Sequence, residues 1–129
     1  MKELIGRLED EPIKKVKFTR GTVSLEYDGK KLKNRIVIEE HETFVGRWDI
    51  DINAVYVDND LDELDMQAVA VHETIEKYVS QKYDLDPYKE AHYIATVKER
   101  EFLKRHRKDW KSHQIKVGKV WRKEAKRTY

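Results

Sequence analysis

Apolar positions change period twice along the chain, and each change marks a change of element. Leu4, Ile5 and Leu8 recur at helical spacing before Pro12 interrupts, which predicts a short amphipathic helix over the first ten or so residues. After Pro12 the period drops to two. Val16 and Phe18, then Val23, Leu25 and Tyr27, alternate with polar residues as half-buried strands do, with Arg20-Gly21 at the first turn. Asp28-Gly29 marks a second turn into Leu32–Glu40, which holds the β-branched run Ile36-Val37-Ile38. Together these predict a three-stranded antiparallel meander. Thr43–Trp48 and Ile50–Val57 continue the strand pattern, with Asp49, Asp51 and Asn53 on one face and Ile50, Ile52 and Ala54 on the other.

Helical spacing returns at Asp58-Asn59-Asp60, where Glu63 lies three residues beyond Asp60 as in a capping box. Leu61, Leu64, Ala68, Val71, Ile75 and Val79 then recur at threes and fours, predicting a long helix to about Lys82. Asp86-Pro87 supplies a cap followed by proline at a first helical position, so a second helix is expected from Pro87 to about Arg107. The short connection makes the two helices antiparallel neighbours. The fold expected is α+β, a meander packed on two long helices, with residues 1–109 forming one domain and 110–129 a basic extension. Past Asp109, Trp110, Ile115, Val117, Val120 and Trp121 fit a final strand, a docking segment or a partner-binding tail equally well.

Composition narrows the class. Charged residues (40%) match apolar ones (39%), but three Trp and seven Tyr supply enough apolar surface for a core. No run of eighteen apolar residues is present, and the start MKELIGRLEDEP lacks an apolar leader, so a cytoplasmic protein without a membrane span is expected. With no Cys, only His and carboxylates can ligate a transition metal. The net charge of +2 is unevenly spread: residues 98–129 hold thirteen Lys/Arg against four Asp/Glu, a balance of +9, which leaves residues 1–97 at −7. A basic tail either binds a polyanion such as nucleic acid or packs, solvated, on the acidic body. Trp110 and Trp121, interleaved with basic residues in KDWKSHQIKVGKVWRK, fit strand stacking in the first case and docking anchors in the second.

The candidate chemistry lies in the first long helix. His72-Glu73-Thr74-Ile75-Glu76 puts His72 and Glu76 on one face, one turn apart, able to chelate one cation. Antiparallel pairing can bring His92 opposite as a third ligand. Two imidazoles and a carboxylate, with a position left for water, suit Zn²⁺ and can also hold Mn²⁺ or Fe²⁺. Glu73 points about a quarter-turn away, able to take a proton from a polarised water without ligating the metal. Glu99, seven residues past His92, is a reserve ligand or a partner for an imidazole N–H. Tyr88, Tyr93 and His106 are candidate oxyanion stabilisers as well as ordinary packing or surface residues. His41 and His113 lack a partner at chelating spacing and read as surface histidines; Asp49 and Asp51 read as exposed strand residues, and Trp48 as core.

The stretch AVYVDNDLDELDMQAVAVHETIEKYV resembles the strand, acidic helix start and HExxH helix of small zinc metallopeptidases of the gluzincin type, such as the ImmA/IrrE family and related phage and archaeal minimal metallopeptidases. The segment KEAHYIA, residues 89–95, is similar to the helix that supplies their third ligand. The likeness spans about Ile50 to Arg107. It implies a zincin-like fold and a zinc-dependent peptidase with His72 as first ligand and Glu73 as general base. Glu76 would stand in place of the second His, and His92 where the family carries Glu. The expected function is a small metal-dependent hydrolase acting on a peptide or protein that adds to an edge strand near residues 50–57. The alternative is a nucleic-acid or protein binding module whose metal site is structural or absent.

Overall fold

The protein is described here from a computed structural model covering residues 2–39, 46–49, 51–107 and 109–128, with side chains to residue 119. It is an α+β fold: a five-stranded mixed sheet and four helices. Helix α1 (Lys2–Asp10) precedes strands β1 (Lys14–Thr19), β2 (Thr22–Tyr27) and β3 (Lys30–Glu39), which form the expected antiparallel meander. Both hairpins turn in two residues, and all four turn residues, Arg20 and Gly21, Asp28 and Gly29, have positive φ. Such turns match the twist of the flanking strands. In β2 burial alternates strictly, with Val23, Leu25 and Tyr27 in the core. Edge strand β1 carries a bulge at Lys15, where the register slips between Lys14 and Lys17 and φ is 52°.

The sheet departs from a simple meander after β3. Strand β5 (Ala54–Asp58) runs parallel to β3, and β4 (Gly46–Trp48) pairs antiparallel on its far side, giving the order β1-β2-β3-β5-β4. The edge expected near residues 50–57 is not one: β5 is bonded on both sides, and the edge beyond it is β4, while Ile50 lies outside the described residues. Nor is that segment one strand. Asp51-Ile52-Asn53 bends, and Ile52 is exposed, so the expected two-faced alternation starts only at Ala54. Val55 and Val57 are both fully buried and Tyr56 faces the other way, as an interior strand requires. Of the expected strand Thr43–Trp48, residues 43–45 lie outside the described residues.

Helix α2 (Glu63–Tyr83) begins two residues later than the Asp60 cap predicted. Asp62 is the N-cap, its carboxylate accepting from Asp65 N–H at 2.9 Å, while Asp58 turns back to accept from Asp60 N–H at 2.7 Å. The helix ends at Asp84 in the left-handed conformation. Its middle is buried on every side, from Ala68 without interruption to Lys77, because the sheet covers one face and α3 (Glu90–Arg105) another. His72 meets Glu99 and Glu76 meets His92, so the two helices run antiparallel. Helix α3 starts three residues later than expected: Asp86 and Pro87 open a turn, with Asp86 C=O accepting from Lys89 and Ala91. His92, the sixth residue of the helix expected from Pro87, thus lies in the first turn of α3.

Two polar clusters lock α1 in place. Buried Lys98 donates to the backbone carbonyls of Glu9 (2.8 Å) and Glu11, capping the last turn of α1 with a cation. Arg7, Tyr78 and Tyr83 all donate to the Asp28 carboxylate in the second hairpin turn. Beyond Asp109 the chain forms a helix, α4 (Trp110–Thr128), whose N-cap Asp109 accepts from Ser112 N–H (3.0 Å) and Oγ–H (2.9 Å). Among the described residues, no helix is long and apolar enough to cross a membrane.

Candidate metal centre

The middle of α2 opens on a cleft of about 850 Å³ walled by β4, α2, the start of α3 and the first two turns of α4. Its walls are largely apolar: Trp48, Val69, Pro87, Tyr88, Trp110 and Val117. Its polar floor holds His72, Glu73 and Glu76 from α2, His92 and Glu99 from α3, and His113 from α4.

His72, Glu76 and His92 come together as their spacing and the helix pairing suggested, each offering one ligand atom within 4.8 Å of the others. That spread is slightly wider than bonds of about 2.0–2.2 Å to one ion would set. The atoms share hydrogen bonds: Glu76 Oε2 accepts from His72 Nε2 at 3.0 Å and from His92 Nδ1 at 3.1 Å. The opposite atoms are held by other groups. Trp48 Nε1–H donates to Glu76 Oε1 at 3.0 Å, and His72 Nδ1–H donates to Glu99 Oε1 at 2.8 Å. A carboxylate on the outer nitrogen of an imidazole fixes the ring and raises its basicity, as ligand histidines require. The donor set and these outer partners fit a metal ion, and the group can hold one once its three atoms draw closer.

The electrostatics follow from burial against pairing. Burial works to lower His72, yet Glu76 and Glu99 on its two nitrogens hold it well above the usual histidine value. Burial also works to raise Glu76 and Glu99, but hydrogen bonds from His72 and His92 bring the first to about 2, and those from His113 and His72 the second to about 2. Among the described residues, Glu73 has no such donor. Burial, with the charges of Glu76 and Glu99 adding to it, pushes Glu73 up to about 8 against the pull of His72. The backbone of β4 passes close above: a Cβ at Gly46 would lie 2.5 Å from Val69 Cγ1 and 2.9 Å from Glu73 Oε1. Only glycine lets the edge strand lie against the carboxylate here.

Glu99 takes the partner role at His72 rather than joining the three-atom group. Tyr88 stands exposed at the cleft rim. Tyr93 and His106 do not line it: Tyr93 O–H donates to Glu9 at 2.7 Å, and the His106 ring packs on Phe102. Trp48 packs against the core as expected but also reaches Glu76. Asp49 faces Arg47 at 3.7 Å, and Asp51 is exposed. His41 and the Trp121 side chain lie outside the described residues.

The reading of His113 as a surface residue is overturned. It is only 1% exposed, with Nδ1 2.6 Å from Asp65 Oδ1 and Nε2 bonded to Glu99 Oε2. Trp110, His113, Gln114 and Val117 all line the cleft, at helical spacing behind the Asp109 cap. That period was visible in the chain and unread, because the apolar residues taken alone hide it. No protein-family model, curated protein or solved structure matches the chain.

Proposed function

We propose that the protein is a small metal-dependent hydrolase, peptidase-like, holding zinc on His72, Glu76 and His92, with Mn²⁺ or Fe²⁺ as other candidates. The observation that carries this reading is the convergence of two imidazoles and a carboxylate on the floor of an open cleft, with a further carboxylate, Glu73, beside them. A structural metal is normally enclosed by four protein ligands, whereas three ligands facing a cleft leave a position for water or substrate. The bound metal would supply a Lewis acid that polarises water and a substrate carbonyl. With the charge of the bound metal favouring its ionised form against burial, Glu73 would take the proton from that water and return it to the leaving amine. Glu99 and Trp48 would keep His72 and Glu76 in place throughout. A peptide would enter in extended form along β4, the edge strand that forms one wall of the cleft, with apolar side chains meeting Trp48, Tyr88 and Trp110.

The reading is tested by incubating the zinc-loaded protein with a mixed peptide library and identifying products by mass spectrometry. Cleavage that disappears with a chelator and in Glu73→Gln is the expected result. A zinc-loaded protein that cuts no peptide bond under these conditions would remove the hydrolase assignment while leaving the metal site standing.

A further inference from the structure

The imidazoles and carboxylates of the cleft do not end at the three putting atoms toward one another. They continue inward as an unbroken alternation, His92, Glu76, His72, Glu99, His113, Asp65, crossing from α3 to α2, back to α3, on to α4 and back to α2. We propose that His113 is a positioning residue of the metal site: seated between Asp65 and Glu99, it holds the Glu99 carboxylate in the orientation that fixes the His72 ring. The inference rests on the metal-binding reading above and extends it to α4, which enters the site as one of its working parts.

The geometry carries the argument. Glu99 divides its two oxygens, Oε1 to His72 Nδ1 and Oε2 to His113 Nε2, so its rotation is fixed from both sides. An ionised carboxylate only accepts, so both ring nitrogens of His113 must carry hydrogens to serve Asp65 and Glu99 together. Burial works against that protonated form, and the two carboxylates outweigh it, raising His113 above its ordinary value. Without His113, Glu99 keeps a buried oxygen lacking this donor, and the carboxylate is no longer fixed from that side. His72 then loses the partner that sets which nitrogen faces the cleft.

The test is zinc affinity, measured on the full chain by competition with a chromophoric chelator, for the parent, His113→Ala, His113→Gln and Lys116→Ala. Removing a partner of this kind weakens metal binding about 10- to 100-fold, and that loss is expected for His113→Ala. His113→Gln, which keeps an N–H donor for Glu99, should recover part of it. Lys116→Ala, an exposed position of the same helix that lines no part of the cleft, should bind like the parent. Alongside, the His72 Nδ1–H proton is followed by NMR in the zinc-free protein; it should be protected from exchange in the parent and lost in His113→Ala. If His113→Ala does not fold, Asp65→Asn/His113→Leu, which fills the space and removes the far charge, is measured in its place. Parent-like affinity in the His113 variant, an equal loss in Lys116→Ala, or an unchanged His72 proton would each overturn the proposal. A parent chain that takes up no zinc would instead remove the metal reading, and the His72 proton would still decide the role of His113.

Discussion

Helix α2 carries two polar clusters that differ in what their atoms face. Near its C-terminal end, Tyr78 and Tyr83 join Arg7 on a single carboxylate, Asp28, tying α1, the second hairpin turn and α2 into one corner. Each donor ends on an acceptor, and the cluster lines no part of the cleft. Two turns earlier, His72 and Glu76 meet His92 with three ligand-type atoms aimed at one another over an open cavity. The first arrangement fastens elements. The second also ties α2 to α3, but it turns its ionisable groups onto an open cleft, where a cation can reach them.

That contrast predicts opposite responses to mutation. The largest effect is expected at the cleft: His72→Ala or Glu76→Ala should weaken zinc binding by more than the about 100-fold that outer partners reach, as read by chelator competition, with the fold retained by circular dichroism. Asp28→Asn should do the reverse, leaving zinc affinity unchanged and costing about 2–3 kcal/mol in urea unfolding, since it removes the charged acceptor of three donors. Gly46→Ala joins the two regions of effect. Its Cβ must displace Val69 and the Glu73 carboxylate, an overpacking that costs about 1–3 kcal/mol and should depress hydrolysis more than zinc affinity. At the small end, Tyr93→Phe removes only an exposed bond to Glu9 and should shift stability by less than about 0.5 kcal/mol.

Acid sharpens the same comparison. Burial works to raise Asp28, but donors from Tyr83, Arg7 and Tyr78 prevail and hold it below the ordinary carboxylate value. A lowered folded-state pKa contributes stability that is present above the unfolded value, about 4, and is lost as pH falls through the folded one. The stability gap between the parent and Asp28→Asn should therefore be full at neutral pH and close progressively below about pH 4; a gap independent of pH would show that the Asp28 charge plays no part.

The meander, both glycine turns and the two long helices were legible because each is set by local period and turn chemistry. His72, Glu76 and His92 were legible because helical spacing and a short connection constrain them to meet. The parallel pairing of β3 with β5 was not, since a strand's partner depends on packing far along the chain rather than on its own alternation. Asp62 outcompeted Asp60 as the cap because Asp58 and Asp60 are used in a turn. The role of His113 was hidden because its partners, Asp65 and Glu99, lie 48 and 14 residues away, and only the docking of α4 brings the three together.

Metal bound by His72, Glu76 and His92 is what separates the cleft from the Asp28 corner. Metal stoichiometry by mass spectrometry, after zinc loading and removal of the excess, tests it most directly. About one zinc per chain is expected in the parent and in Glu73→Gln, with loss of zinc in His72→Ala, Glu76→Ala and His92→Ala. A parent chain free of metal, or zinc retained in all three ligand variants, would contradict it.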